Sequence, residues 1–201
     1  MKSTQTPPSS IYASAAGFSL VEVLMSVLVL TVGLIGTALI ELHAFRTTEQ
    51  SNLHDTAVAL GMRIADEMRA NDAQMRLPAA SNPFERVRYR TSATALASPT
   101  HCYSSTCSPA QWASQSVVEW KQRIQASLPG GRLEICRDAT VVTSTGDFRW
   151  CAAGGVSGTD APLVIKIGWY EKNPDGKEVE EDTASRPSTP RVAILTSPYS
   201  Q

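Results

Sequence analysis

The chain has 201 residues, with 18 Lys and Arg against 19 Asp and Glu, for a formal net charge of −1. That length allows one ordinary domain with or without an appendage, and 42% hydrophobic against 18% charged residues excludes an intrinsically disordered chain. A charge near zero argues against gripping nucleic acid electrostatically, and 6% aromatic residues are too few for a base-stacking platform.

The averages hide an asymmetry at the N-terminus. Residues 18–40, FSLVEVLMSVLVLTVGLIGTALI, are 23 residues with one charge, Glu22. A helix needs about 20 apolar residues to span a bilayer. The run exceeds the h-region of a cleaved signal peptide, and being apolar on every face it is no half-buried helix of a soluble domain. A plain signal anchor does not explain Glu22, because an acid inside such a segment costs about 2.5–3.5 kcal/mol at the bilayer centre and less toward the interface.

The segment Gly17-Phe18-Ser19-Leu20-Val21-Glu22-Val23-Leu24 resembles the class III signal of type IV prepilins and pseudopilins. The resemblance implies a leader at 1–17, cut by a prepilin peptidase between Gly17 and Phe18. It also implies N-methylation of Phe18 and retention of the apolar helix at 18–40. The leader carries one basic residue, Lys2, where the family's leaders usually carry several near the cut. In a bundle of such helices, the Glu22 carboxylate of one subunit can meet the Phe18 amine of another. Neither charge is tolerated alone in hydrocarbon, so pairing enforces one axial offset.

Apolar residues continue past Ile40 at steps of three and four: Leu42, Phe45, Leu53, Ala57, Leu60, Ile64 and Met68. Glu49, Asp55, Arg63, Asp66, Glu67 and Arg69 lie opposite. This predicts an amphipathic half of the same helix over 41–72, ending at Asn71 and Asp72. A helix from 18 to about 70 would be roughly 80 Å long. A head is expected over 73–201. Within it, 78–110 reads as a loop, with a Ser- and Thr-rich stretch at 91–110. A second helix is expected from Pro109 to Ser127, capped by Ser108 and stopped by Pro129-Gly130-Gly131, burying Trp112, Val117, Trp120, Ile124 and Leu128. From Arg132 the period becomes two. Leu133 and Ile135, then Phe148 and Trp150, then Leu163, Ile165, Ile167 and Trp169, then Val192 and Ile194 predict short antiparallel strands. Residues 173–183 read as an acidic loop with too few alternating carboxylates for a calcium site.

Four cysteines downstream of an exporting segment predict two disulfides, for which three pairings exist. Spacing favours Cys102 with Cys107. Strand parity favours Cys136 with Cys151, since each would lie on the strand face opposite the apolar one. The spacings do not match a zinc site, and no metal or other cofactor is expected. Two of the three histidines, His43 and His54, lie on the long helix, and no nucleophile elbow, phosphate loop or H-E-x-x-H motif occurs. The expectation is a protein that is not an enzyme.

In the head, Pro109-Ala110-Gln111 with Trp120, Leu128-Pro129-Gly130-Gly131, Ile135-Cys136-Arg137-Asp138, and Val164-Ile165 leading to Trp169 are similar to the type IV pilus modification protein family, the PilV-type minor pilins. The resemblance runs from about Gly17 to Tyr170. It implies an α+β, type IV pilin-like fold, a long helix on a small antiparallel sheet with one extra short helix. It implies a single-pass inner-membrane protein with a periplasmic head, incorporated in the pilus. Its partners would be the prepilin peptidase, other minor pilins, the major pilin, the assembly platform and membrane lipid. It would help start pilus assembly and so support twitching, attachment or DNA uptake. Two alternatives share parts of the evidence: a type II secretion pseudopilin, and a bitopic envelope protein with a ligand-binding head.

Overall fold

The computed structural model describes residues 17–85, 87–91, 96, 102–104, 106–152, 161–170 and 189–198. The leader before Gly17, the acidic loop 173–183 and much of 91–101 lie outside the described residues. The longest element is α1, Leu20–Ala70, 51 residues. The chain divides into two compact units, 1–44 and 45–201.

In the first unit every described residue is exposed. Among the described residues, one helix, α1, is long and apolar enough to cross a membrane, and none of its apolar window is buried in the protein. The few hydroxyls on this stretch bond within their own helix. Ser26 Oγ donates to the Glu22 and Val23 carbonyls at 2.8 and 2.9 Å, Thr31 Oγ1 to Leu28 at 2.8 Å and Thr37 Oγ1 to Leu34 at 2.9 Å. Hydroxyls satisfied this way do not demand water, as a helix in hydrocarbon requires.

The second unit is an antiparallel sheet with helices on one face. Its strands are β1 Val87–Arg90, β2 Arg132–Arg137, β3 Leu163–Gly168 and β4 Val192–Thr196, in the order β1-β2-β3-β4. The register aligns Val87, Ile135, Ile165 and Ile194 in one row and Tyr89, Leu133, Ile167 and Val192 in the next. Alternation then puts these rows on one face. Ala57, Ile64, Ala65 and Met68 of α1 join the core with them, as do Ala113, Val117, Trp120 and Ile124 of α3, Pro109–Ser127. Close approach of α1 depends on Gly61, where a Cβ would lie 2.6 Å from Ile194 Cδ1. A one-turn helix, α2 Asp72–Met75, follows α1 and buries Met75.

Helix α3 starts where its capping residues put it. Ser108 Oγ accepts from the Gln111 N–H at 3.3 Å, and Gln111 Oε1 accepts from the Ser108 N–H at 2.8 Å, a reciprocal box with Pro109 at the first position. The following turn has Gly130 at φ +58°, with the Tyr170 ring packed where a Cβ would stand. Only glycine meets both demands.

Three expectations are corrected. The loop expected over 78–110 contains β1, an edge strand. The strand expected around Phe148 and Trp150 does not form; one isolated bridge, Val142 to Phe148, is present, and residues 149–152 run without a ladder. Trp112 is 36% exposed, and Ala113 takes the buried place beside Val117.

Candidate functional site

The residues Gly17, Phe18 and Glu22 open the first unit. Gly17–Ser19 precede the helix, and Phe18 is 83% exposed. The Ser19 carbonyl accepts from the Glu22 and Val23 amides at 3.0 and 3.2 Å, which closes the first turn with Glu22 in it. A carboxylate here faces the positive end of the helix dipole. The Gly17–Phe18 amide and the Glu22 carboxylate therefore sit at one end of the same apolar rod. Cleavage after Gly17 would free an amine there, four residues before the acid.

In the second unit, ionised groups lock α3 to α1. Glu67 Oε2 accepts from the Trp120 indole N–H at 2.5 Å, and its Oε1 accepts from Arg123 at 3.0 Å and Arg63 at 2.9 Å. Arg123 also donates to Glu119 at 3.1 Å, and Glu119 accepts from Gln115 at 2.8 Å. Buried Gln115 in turn accepts from the Cys102 N–H at 2.9 Å. Burial opposes ionisation of Glu67, but the bonds from Arg63, Trp120 and Arg123 together outweigh it and hold the carboxyl below its usual range.

A second set covers the far face of the sheet. Glu134 and Lys166 are cross-strand partners there, and both are buried under residues 138–152. Glu134 accepts from Arg132 at 2.7 Å and from the Cys151 N–H at 3.0 Å, while the Arg132 guanidinium lies 4.0 Å from the Trp150 ring centroid. Lys166 Nζ donates to Asp138 Oδ2 at 2.5 Å and to the Arg149 carbonyl at 2.7 Å. Burial raises the Asp138 pKa, but the Lys166 bond, the Thr140 N–H and the Lys166 and Arg149 charges lower it further, so it stays below its ordinary value.

The structure bonds Cys102 to Cys107 and Cys136 to Cys151, with Cα separations of 5.4 and 6.2 Å. These are the pairs that spacing and parity favour. The parity argument needs one correction, because Cys151 is in no strand and both Cys136 and Cys151 are buried. Their bridge pins the 138–152 segment over the sheet instead of linking two neighbouring strands. Among the described residues, no three His, Cys, Asp or Glu side chains converge as a metal site requires.

Strand alternation marks Glu134, Lys166 and Arg149 as solvated, so the buried polar face has no signal in the sequence. The nearest sign is the cysteine pair, which brings 138–152 back to β2. Comparison with family models, with curated proteins and with solved structures found no match.

Proposed function

We propose that this chain is a minor pilin of a type IV pilus, a non-enzymatic subunit that helps initiate and support assembly. The observation that carries the reading is the start of α1. Gly17-Phe18 stands directly before a helix that is apolar and exposed on all sides through Ile40, with a single acid, Glu22, in its first turn. A peptidase cut at Gly17 leaves an amine at Phe18. In a helix bundle that amine and a neighbour's Glu22 satisfy each other, which makes the acid an assembly device rather than a burden to insertion.

The remainder of α1, which contributes Ala57, Ile64 and Met68 to the head's core, supports a pilin-like arrangement, with one half of the helix for membrane and filament and the other for the head. On this reading the head lies in the periplasm. Two disulfides suit an oxidising compartment. The partners are the peptidase, the other minor pilins, the major pilin, the assembly platform and membrane lipid.

Deletion of the gene in its native cell, with complementation by the full chain and by Glu22→Ala, tests this. The expected result is loss of surface pili and twitching on deletion, restored by the full chain and not by the variant. Intact pili with lost protein secretion would assign the chain to a type II system instead. Absence of both defects would contradict a filament role.

A further inference from the structure

The two disulfides of the head differ in what covers them. Cys136 and Cys151 are both buried, and they join β2 to the 138–152 segment, which the Glu134 and Lys166 bonds also hold. Cys102 is buried too, but Cys107 is only half-buried. It borders an open cavity of about 370 Å³ between α2 and the start of α3. A disulfide is exchanged only when a thiolate can reach one of its sulfurs. Of the two bridges, Cys102–Cys107 is the one with an open approach.

Its surroundings make the opening local. Cys102 is fixed from the helix side, because its N–H donates to buried Gln115 at 2.9 Å, and Gln115 donates to Glu119 at 2.8 Å. Cys107 has the bridge on one side and Ser108, the N-cap of α3, on the other. The bridge thus ties the start of α3 to an anchored residue. Tyr103, within the bridged loop, leans on the same helix. Its ring meets Trp112 edge-on at 5.5 Å, and its hydroxyl donates to Glu119 at 3.3 Å. The core packed on the sheet includes neither cysteine of this pair, and a loop of sequence separation 5 gives back little chain entropy when it opens.

We propose that Cys102–Cys107 is a redox clasp, which a dithiol reductant opens in the folded head while Cys136–Cys151 stays closed. One thiolate of the reductant attacks Cys107 Sγ, forms a mixed disulfide and expels Cys102 as a thiolate, which takes up a proton. The reductant's second thiol then displaces Cys107. One S–S bond breaks in the protein and one forms in the reductant, and two electrons and two protons pass to the cysteines. Opening releases Cys107 from its anchor, so the first turn of α3 frays and Tyr103 parts from Trp112. The proposal does not depend on the minor-pilin reading.

The test uses the full chain in detergent, exposed to dithiothreitol under native conditions. Free thiols are alkylated at intervals and mapped by peptide mass. The expected result is labelling of Cys102 and Cys107 at least about tenfold faster than of Cys136 and Cys151, the gap between a local opening and a larger one. In the half-reduced protein, hydrogen exchange should quicken across 102–112 and stay unchanged in β3. The variant Cys102→Ser with Cys107→Ser should fold and reproduce that exchange pattern without reductant. Equal labelling of both pairs, earlier labelling of Cys136 and Cys151, or no labelling until the head unfolds would overturn the proposal. So would selective reduction that leaves exchange across 102–112 unchanged, because the bridge would then hold nothing in place. Failure of the double variant to fold would overturn it as well, since the opening would not be local.

Discussion

Glu67 is the residue on which the helical side of the head turns, because three donors from two helices converge on one carboxylate. Glu67→Ala leaves the Trp120 indole N–H without its acceptor in a ring that is 1% exposed. The expected loss is about 1–3 kcal/mol, the usual cost of orphaning a buried donor, read as a lower denaturation midpoint by tryptophan fluorescence. Lys166 is the corresponding residue on the far face. Lys166→Met removes the ammonium from the buried Asp138 carboxylate, which keeps the Thr140 N–H and the more distant Arg149, and breaking one side of a buried pair costs up to about 3–5 kcal/mol. Replacing both partners, Lys166→Met with Asp138→Leu, should recover most of that loss, and an equal or larger loss in the double variant would refute the assignment. Acid should act on the same two sites. Glu67 and Asp138 are held below their ordinary values of 4.5 and 3.8, so folding favours their ionised forms. Their contribution is complete above those values and disappears as pH falls through the lower values of the folded state. The unfolding midpoint of the wild type should therefore fall below about pH 4.5, and less steeply in Glu67→Ala, which has already lost one of the two terms.

At the scale of elements, the Cys136–Cys151 bridge and the two buried carboxylates do one job together: they hold 138–152 on the sheet where no ladder does. Cys136→Ser with Cys151→Ser opens a loop of sequence separation 15, and such a loop is worth about 3 kcal/mol by chain entropy. The smaller Cys102–Cys107 loop should cost less when opened, because loop-closure entropy grows with length. Helix α3 was legible from end to end, because Ser108, Pro109 and Pro129-Gly130-Gly131 are local signals with local causes. Long α1 was legible from its apolar run and its steps of three and four. Strand β1 was not. Its sequence, Val87-Arg88-Tyr89-Arg90, offers only two inward residues, and it sits at an edge where one face touches the core and the arginines point outward. Residues 148–151 failed in the opposite sense. They alternate like a strand, yet their backbone is held by side chains, the Cys151 N–H by Glu134 and the Arg149 carbonyl by Lys166. Alternation reports which side a residue faces, not whether something else covers that side. That is why buried Lys166 was legible as a strand residue and illegible as half of an ion pair.

For the whole molecule, the central claim is that α1 begins at a peptidase site. The exposed apolar stretch and the head's own polar locks are separate demands on one chain, and the Phe18 amine with Glu22 is what the proposal adds to a plain membrane anchor. Glu22→Ala should leave cleavage intact while removing the chain from sheared filaments, measured by blotting the filament fraction. Equal recovery of variant and wild type would show that the acid has no part in assembly. The most direct measurement is the intact mass of the protein extracted from membranes of cells with and without the prepilin peptidase. The account predicts a chain beginning at methylated Phe18 where the peptidase is active, and one retaining residues 1–17 where it is absent. A chain that keeps those residues in the presence of active peptidase would contradict the account and return the segment to an ordinary signal anchor.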